Sequence, residues 1–537
     1  MKEKYSIDYF VKKLKENPFL LLILLIAIFL RLFHVSQSSL WTDELATFWI
    51  ATAKTYPECI ARTVTTQGMS PFYFLIECFF FKFLPQNEIT LRFLSILTSL
   101  VSLILIYLVS MTFFSESASK KRIALFASFF FAIHEIQIYY AQEARPYALA
   151  IMLVLLSQFF FLKILKESKK KNYILYSITS SLCCYAHYIF FAQLIFLHNI
   201  LFILHLFDRK KDKKESHLKI KHWLISILLV FFFCLPNLSQ IIAMVTNTEK
   251  WTWLHNPGII SATKIFLQFF IPKIILILII IFAFFTLLIE KIKPIKNIRA
   301  FRQFIHLFLW WGLPFLCLII ASLILKTSFY DHRYFLVSLL PFYLAIGWFI
   351  CSFKNPKLKM IFPLIFFTLY IGMEIVPVLK DTGAFTRRIQ HNWRGSLDHL
   401  SSHLKTNDII LLRSGFVKEN WIPTTKETLI KEYCKAPIYS CYFDSTINYH
   451  IYNLTYSFED EFNDYFNLIY NKSLLGERIW IIGVNPPNTN YPLCNISKLF
   501  MSQYKSTKIY EKNFSGVYLC LLKNSTIKTK GNNHNEK

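Results

Sequence analysis

Long apolar runs recur along this chain from Pro18 to Pro377, and they limit the folds it can adopt more than any other feature. Several of them reach about 20 residues, the length that an α-helix needs to cross the hydrocarbon core of a bilayer. Hydrophobic residues make up 54% of the 537 residues, and the mean hydropathy is +0.40. A water-soluble chain rarely carries so much apolar content. The pattern predicts a polytopic α-helical membrane protein.

The basic residues lie mostly in short clusters between the apolar runs. The chain has 59 Lys and Arg against 33 Asp and Glu, which gives a net charge of +26. Such a surplus can indicate nucleic-acid binding, but no nucleic-acid-binding motif accompanies it in the sequence. Cytoplasmic loops of membrane proteins carry an excess of Lys and Arg, and the clusters fit that rule. We therefore expect membrane lipids, and no nucleic acid, as partners.

The basic clusters also set the orientation of the predicted spans. The Lys-rich segment Met1–Asn17 is expected in the cytoplasm. The run Pro71–Leu84 has only 14 residues, and treating it as an interfacial or re-entrant helix places every later basic cluster on the inner side. The result is eleven spans, with the C-terminus outside. They are Pro18–Val35, Glu88–Phe114, Ile123–Ile138, Ala148–Leu165, Tyr173–Ala186, Ile189–Phe207, Trp223–Met244, Ile265–Ile289, Phe304–Leu325, Tyr334–Cys351 and Ile361–Val378.

The composition changes at Lys380, after which the chain is polar with alternating strand-like and helical patterns. These patterns predict a helix at Ser396–Leu404 and strands at Asp408–Leu412, Arg478–Val484 and Gly516–Leu522. In an oxidising compartment, one or two disulfides could form among Cys434, Cys441, Cys494 and Cys520. The predicted domains are a transmembrane domain at 1–378 with a first outer loop at 36–87, a small external α/β domain at 379–522, and a disordered tail at 523–537.

Polar residues gather at the predicted outer ends of the spans. Two adjacent carboxylates, Asp43 and Glu44, follow the first span, and a carboxylate near lipid is costly unless it faces water, a partner or a substrate. Singly, each polar residue has a simpler explanation, such as an interfacial aromatic belt or an arginine that reaches the headgroups. As a set, they indicate a site for an anionic, membrane-borne substrate. The others are Trp41, Tyr139, Tyr140, Gln142, Glu143, Arg145, Tyr147, His187, Tyr188, Trp251, Trp253, His255, Asp331, His332 and Arg333.

The order of these residues resembles that of the GT-C glycosyltransferases. The branch it resembles comprises bacterial relatives of the dolichyl-phosphate-mannose protein mannosyltransferases and of the lipid A aminoarabinose transferases. The resemblance covers about Leu20 to Tyr343, with one departure at Met69-Ser70-Pro71, where relatives often carry a His-Pro-Pro turn. The matching stretches are Leu40-Trp41-Thr42-Asp43-Glu44, Ser70-Pro71-Phe72-Tyr73, Tyr140-Ala141-Gln142-Glu143-Ala144-Arg145-Pro146-Tyr147, Ala186-His187-Tyr188, and Arg333-Tyr334 with Pro341.

The resemblance implies a polyprenyl-phosphate sugar as the donor and a hydroxyl as the acceptor, on the outer face of the membrane. Asp43 would be the general base of an inverting single displacement, and Glu44 would orient Asp43 or the acceptor. The donor phosphate would be bound by Arg145, Arg333, His187 and Tyr188; the planar guanidinium suits this because it binds phosphate in two places. The substrate site would be lined by Trp41, Tyr140, Gln142, Glu143, Tyr147, Asp331 and His332.

Several alternatives stay open at the level of sequence. A transporter or flippase for a lipid-linked sugar would also carry basic residues near the membrane, although the sequence has no internal repeat; a non-catalytic glycan-assembly protein is another alternative. For a glycosyltransferase, the sequence leaves open whether the acceptor is a surface glycan, lipid A or lipopolysaccharide, or a protein hydroxyl. A divalent cation is possible at Asp43, Glu44, Glu143, His187 and His332, but no ligand spacing requires one. The composition suits an AT-rich bacterial genome, and the expected location is the bacterial inner (plasma) membrane.

Overall fold

The chain forms two compact units in the computed structural model. The first comprises Met1–Phe33, Met69–Tyr73 and Arg92–Thr386. The second comprises His34–Gly68, Phe74–Leu91 and Arg387–Lys537, so that it combines the first predicted outer loop with the C-terminal region. The structure describes residues 17–211, 220–246, 263, 298–325, 329–353, 356–380, 391–416, 418–419, 422, 426–443, 447–455, 469, 477–485, 492–504 and 506–524.

Helices make up most of the described chain up to residue 380. Two short 3₁₀ turns also occur, at Leu235–Asn237 and at His332–Phe335. The helices are α1 (Pro18–Leu32), α2 (Thr42–Ala51), α3 (Tyr56–Gln67), α4 (Phe72–Phe83), α5 (Glu88–Phe113), α6 (Lys120–Ile133), α7 (Glu135–Ala141), α8 (Tyr147–Glu167), α9 (Lys170–Ala186), α10 (Tyr188–Lys211), α11 (Ile220–Cys234), α12 (Leu238–Thr246), α13 (Ile298–Leu325), α14 (Leu336–Ser352) and α15 (Pro356–Lys380).

Among the described residues, seven helical segments are long and apolar enough to cross a membrane, or eight if one bent pair counts as a span. α1 is apolar but has only 15 residues. The fold class is confirmed in its coarse form, a polytopic helical membrane protein with a small sheet domain, while the number of eleven spans stays a prediction. The predicted span Ile265–Ile289 lies outside the described residues, as do Trp251, Trp253 and His255.

The predicted third span, Ile123–Ile138, is not one continuous helix. α6 ends at Ile133, His134 adopts an extended conformation (φ −65°, ψ 124°), and α7 starts at Glu135 after a bend of 62°. Sharp helix breaks usually coincide with proline or glycine, and this stretch contains neither. The two helices together are still apolar enough to count as one bent span, and the sequence offers no local signal for the break.

Buried side chains satisfy the helix ends around this break. The last four carbonyls of a helix have no partner within it, and leaving them unpaired in apolar surroundings is costly. The fully buried Arg31 donates from Nη1 to the carbonyl of Ala132, near the end of α6, at 2.9 Å. Gln142 donates from Nε2 to the carbonyls of Arg31 and Phe33, at the end of α1, at 2.9 and 2.7 Å. Arg31 on α1 thus binds the end of α6, and Gln142 binds the end of α1.

The second unit contains a five-stranded sheet in the order β2-β1-β3-β5-β4. β1 pairs in parallel with β2 and β3, whereas β5 pairs antiparallel with β3 and β4. The strands are β1 (Asp408–Arg413), β2 (Tyr449–Asn453), β3 (Arg478–Val484), β4 (Thr507–Phe514) and β5 (Val517–Lys523). The helices of this region are α16 (Trp393–His403), α17 (Thr428–Tyr433) and α18 (Leu493–Tyr504).

The buried strands lie where apolar runs predict them, and the edge strands do not. β1, β3, β5 and α16 coincide with the four predicted elements within one to three residues at each end. β2 and β4 are the two edges of the sheet, and most of their residues are exposed or half-buried. Edge strands often carry charged residues that prevent further pairing, and this weakens their hydrophobic signal. In the same region, Cys434, Cys494 and Cys520 are free thiols, so none of these three forms a disulfide.

The first outer loop and the C-terminal region are joined within the second unit by polar contacts. Arg394 Nη2 lies 2.5 Å from Glu88 Oε2 and donates to the carbonyl of Ser36 at 2.7 Å. The Tyr442 hydroxyl accepts a hydrogen bond from the Leu40 N–H at 2.7 Å and donates to Glu88. Glu88 is almost fully buried, and hydrogen bonds to a buried charge are among the stronger ones. These contacts fix both ends of the loop that contains Asp43.

A buried carboxyl group holds the segment that follows β1. Glu419 Oε1 accepts from the N–H of Ser414 at 2.5 Å, and Oε2 accepts from the N–H of Gly415 at 3.2 Å. Burial raises the pKa of Glu419 to about 8, although the two N–H donors and the charge of Arg413 act in the opposite direction. The neutral carboxyl is therefore favoured in the folded protein at neutral pH.

We expect the stability of the second unit to fall as the pH rises from about 5 to 8. The pKa of Glu419 in the folded state lies above its ordinary value of 4.5, so the folded state binds the proton more tightly than the unfolded state. This binding adds to the free energy of unfolding, and the contribution is lost as the pH rises and the proton dissociates. Glu419→Gln is neutral at every pH and should flatten the dependence, whereas Glu427→Gln, at an exposed position, should not. Thermal unfolding of the purified protein between pH 5 and 9 measures this. Equal slopes in wild type and Glu419→Gln would contradict the assignment.

Candidate active site

In the first unit, residues predicted to follow three different spans come together. The ring of Tyr147 lies 5.1 Å from that of Tyr140 and 5.5 Å from that of His187, measured between centroids. The rings of Tyr140 and His332 are 6.3 Å apart. Arg333 donates from Nη1 to the Tyr147 hydroxyl at 3.1 Å. The arrangement gathers one cation, two phenols and two imidazoles from α7, α8, the α9–α10 junction and the turn before α14.

Arg333 is held in place by the turn on which it stands. Asp331 Oδ1 accepts from the backbone N–H of Arg333 at 3.0 Å and lies 3.0 Å from its Nε. Burial alone would raise the pKa of Asp331, but the charges of Arg333 and His332 and the N–H donor keep it below its ordinary value. Gln193 donates from Nε2 to the carbonyl of Tyr334 at 3.0 Å and fixes the same turn from α10. An ionised carboxylate thus orients the guanidinium, whose Nη1 contacts the aromatic cluster.

His187 is an uncharged member of this cluster. It is buried at the junction of α9 and α10, and its Nδ1 lies 3.4 Å from the N–H of Phe190, from which it accepts. Burial, together with the positive charges of Arg333 and Arg145, lowers the pKa of His187 to about 3. A neutral imidazole that accepts at Nδ1 carries its proton on Nε2. His187 can therefore donate a hydrogen bond to an anion at any physiological pH.

The stretch between α7 and α8 is a tight, buried turn. The N–H of Arg145 donates to the carbonyl of Glu143 at 2.8 Å, and Ser95 Oγ donates to the carbonyl of Arg145 at 3.3 Å. Glu143 and Arg145 are both almost fully buried. Gln142, which the sequence places at the substrate site, has its amide N–H groups engaged by the end of α1. Tyr188, next to His187, is half-buried at the start of α10.

In the second unit, Asp43 and Glu44 lie in the first turn of α2. The N-terminus of a helix favours negative charge. Glu44 is 2% exposed, and its Oε2 lies 3.4 Å from the N–H of Trp41, from which it accepts in the manner of a capping box. Asp43 is half-buried. The two adjacent carboxylates therefore differ in their environment: Glu44 is buried and fixes the turn, whereas Asp43 is partly exposed.

The turn that carries Asp43 packs against the carboxyl end of the parallel strands within the same unit. Gly415 follows β1 and has φ +89°; a Cβ built on it would lie 2.4 Å from Val484 Cγ2 and 4.0 Å from Thr42 Oγ1. Thr42 Oγ1 also lies 3.5 Å from His391 Nδ1. Carboxyl ends of strands in open α/β sheets commonly form ligand sites. The sequence reasoning missed Gly415 and His391; the one available signal was a glycine three residues after a predicted strand.

The described residues contain no group of three or more His, Cys, Asp or Glu side chains arranged to hold a metal ion. Of the five residues considered for a cation, Asp43 and Glu44 belong to the second unit, and Glu143, His187 and His332 belong to the first. No step of the chemistry below uses a metal.

An apolar cavity of about 430 Å³ lies between α13 and α14 in the first unit. Its walls are mainly aromatic and aliphatic, and they include Phe304, Trp311, Pro341, Ala345 and Trp348. Pro341 is eight residues after Arg333 along the chain, so at 1.5 Å per helical residue the cavity begins about 12 Å from Arg333 along the helix. A cavity with these walls can accept a hydrocarbon chain.

No protein-family model and no curated protein sequence matches the chain. Among solved structures, ArnT from Cupriavidus metallidurans bound to undecaprenyl phosphate is similar, with a TM-score of 0.55 and 8% identity over 93% of this chain and 97% of that chain. The apo form of the same protein gives a TM-score of 0.46, with 7% identity over 94% and 98% of the two chains. The Archaeoglobus fulgidus oligosaccharyltransferase complex with Zn and sulfate gives 0.44, with 12% identity over 86% and 67%.

The first of these likenesses extends over nearly the whole of both chains, although so few residues are identical that it bears on the fold alone. The chain therefore has a fold similar to that of ArnT.

Proposed function

We propose that this protein is an inverting membrane glycosyltransferase that moves a hexose or pentose from a polyprenyl-phosphate donor to a hydroxyl acceptor. The observation that carries the proposal is the cluster of Arg333, Tyr147, Tyr140 and His187, which offers fixed hydrogen-bond donors and a guanidinium in a chain whose fold is similar to that of ArnT. ArnT, whose fold is similar, is bound to undecaprenyl phosphate, and this supports a donor of the same chemical class.

In this proposal the first unit binds the donor phosphate. Arg333 keeps its guanidinium oriented by Asp331, and Arg145 adds a second buried positive charge near His187. Arginine suits a leaving phosphate because its fork makes two parallel hydrogen bonds to phosphate oxygens. His187 supplies a neutral donor from Nε2. Preorganised donors of this kind stabilise the charge that develops on the leaving group.

We assign the general base to Asp43 in the second unit. Its carboxylate would take the proton of the acceptor hydroxyl while the acceptor oxygen attacks the anomeric carbon. The bond between that carbon and the phosphate oxygen breaks in the same step, and polyprenyl phosphate leaves. Glu44 would be a positioning residue, because its carboxylate accepts from the N–H of Trp41 and fixes the turn.

The cavity between α13 and α14 is the proposed seat of part of the donor's isoprenoid chain. Its walls are almost entirely apolar, and it lies about two helical turns from Arg333 along α14.

We further propose that the reaction takes place on the outer face of a bacterial inner membrane, with the N-terminus in the cytoplasm. The acceptor would be a surface glycan, lipid A or lipopolysaccharide, or a protein hydroxyl.

Arg333→Ala should raise the KM for the donor by roughly 10- to 100-fold, because a hydrogen bond to a charged group contributes about 1.5–3 kcal/mol. Arg333→Lys should recover only part of this loss, since a single ammonium cannot reproduce the two-point contact. Arg122→Ala, at an exposed position, is the matched control. Initial rates with a polyprenyl-phosphate sugar measure the effect, and an unchanged donor KM in Arg333→Ala would remove Arg333 from the phosphate site.

Asp43→Asn should lower kcat by roughly 10²- to 10⁴-fold, the range that general-base catalysis contributes. The amide has the shape of the carboxylate but cannot accept the proton, so donor binding and folding should be retained. Asp43→Glu should recover little, because the added methylene displaces the carboxylate. Glu44→Gln should be much milder, since its amide oxygen can still accept from the N–H of Trp41. Turnover at saturating donor is the measurement, and near-normal turnover of Asp43→Asn would exclude this role.

Filling the α13–α14 cavity should weaken the binding of long-chain donors selectively. Ala345→Phe places a ring in the cavity and should raise the KM of an undecaprenyl donor by about tenfold, comparable to the loss of two buried methylenes. The KM of a geranyl-phosphate sugar, whose chain is too short to fill the cavity, should change little. Ile324→Phe, on the exposed side of α13, is the control. An equal effect of Ala345→Phe on both donors would refute this placement of the chain.

A further inference from the structure

A buried carboxylate on the last apolar helix contacts the break between α6 and α7. Glu374 lies on α15 and is 4% exposed. Its Oε2 accepts a hydrogen bond from the backbone N–H of Glu135 at 2.7 Å, across 239 residues of sequence. α15 packs against both α6 and α7. The contact therefore joins two elements that are distant in the chain and adjacent in the first unit.

The contact between Glu374 and Glu135 pairs a backbone N–H at the start of α7. Glu135 is the first residue of α7, and the first N–H groups of a helix have no partner within it. A side-chain oxygen that accepts from the N–H at that point acts as a cap. Without it, the N–H of Glu135 would lose its partner in an apolar environment, and α6 could continue through His134 in a straight line.

The other end of α7 is held as well. Gln142 is its C-cap residue, and the Gln142 side chain donates to the carbonyls at the end of α1. α7 is only 7 residues long, too short to be stable by itself. Its direction is therefore determined by two buried polar side chains, one at each end.

The direction of α7 decides where part of the candidate active site lies. Tyr140 stands on α7, with its ring 5.1 Å from that of Tyr147 and 6.3 Å from that of His332. The turn that contains Arg145 follows immediately. A change in the 62° bend between α6 and α7 would move Tyr140 and this turn relative to Arg333.

We propose that Glu374 is a positioning residue for the donor site. By capping the N-terminus of α7 it holds the break at His134 open, and through α7 it places Tyr140 and Arg145. The consequence for donor binding rests on the function proposed above, whereas the capping of α7 does not. Glu374 touches no reacting atom in this account.

The test compares two substitutions of Glu374 with a control on the same helix. Glu374→Leu removes the acceptor, while Glu374→Gln retains an oxygen that can accept from the N–H of Glu135. Thr368→Val is the control, because Thr368 is exposed and its hydroxyl donates to the Leu364 carbonyl of its own helix. Two quantities are measured on each purified full-length protein: hydrogen exchange of the amides in 135–142, and the donor KM and kcat.

Glu374→Leu should accelerate exchange in 135–142 by roughly tenfold or more and raise the donor KM by about as much, with a smaller change in kcat. Glu374→Gln and Thr368→Val should stay near wild type in both. Unchanged exchange in Glu374→Leu would overturn the proposal, and so would faster exchange with a wild-type donor KM. A Gln variant as impaired as the Leu variant would also overturn it, because capping needs only an acceptor oxygen. Failure of the proposed function looks different: wild type itself then transfers no sugar, while exchange in 135–142 still depends on Glu374.

Discussion

The first unit depends on buried polar side chains that satisfy backbone groups where its helices end or break. In apolar surroundings each unpaired N–H or carbonyl costs several kcal/mol, so a break is possible only where another part of the fold supplies a partner. Arg31 supplies it for the end of α6, Gln142 for the end of α1 and Glu374 for the start of α7. The contacts of Arg31 and Glu374 lie at the bend between α6 and α7, and that of Gln142 lies at the other end of α7.

The chemistry of the candidate site follows from that bend. Because α7 turns away from α6, Tyr140 lies beside Tyr147, and Arg333 reaches the same cluster from the turn before α14. Asp331 holds the guanidinium, and burial together with neighbouring positive charge keeps His187 neutral. The result is a preorganised set of donors suited to a phosphate group. In the second unit, helix α2 and Glu44 give Asp43 a defined place in a capped turn.

Local patterns predicted much of this protein, and long-range contacts account for what they missed. The lengths of the apolar runs predicted the membrane helices, and continuous apolar stretches predicted β1, β3 and β5, which are buried inside the sheet. The exposed edge strands β2 and β4 lacked that signal. The break at His134 has no proline or glycine, and the N–H of Glu135 beside it donates to Glu374, 239 residues away. The predicted topology placed Tyr147 and Arg333 on the same side of the membrane, and the structure joins them by a hydrogen bond. The use of the Gln142 amide as a helix cap could not be predicted from the sequence, because it depends on where α1 ends.

Transfer of a labelled sugar by the purified full-length protein tests the central claim most directly. The protein is incubated in detergent with a polyprenyl-phosphate sugar and a hydroxyl acceptor extract from a bacterial envelope, and in parallel it is reconstituted in liposomes that contain the same lipid-linked sugar. We expect acceptor-dependent release of polyprenyl phosphate in detergent, and its loss when Asp43 is replaced by Asn. Movement of the intact lipid-linked sugar across the liposome membrane, without any transfer in detergent, would contradict the account and identify a transporter instead.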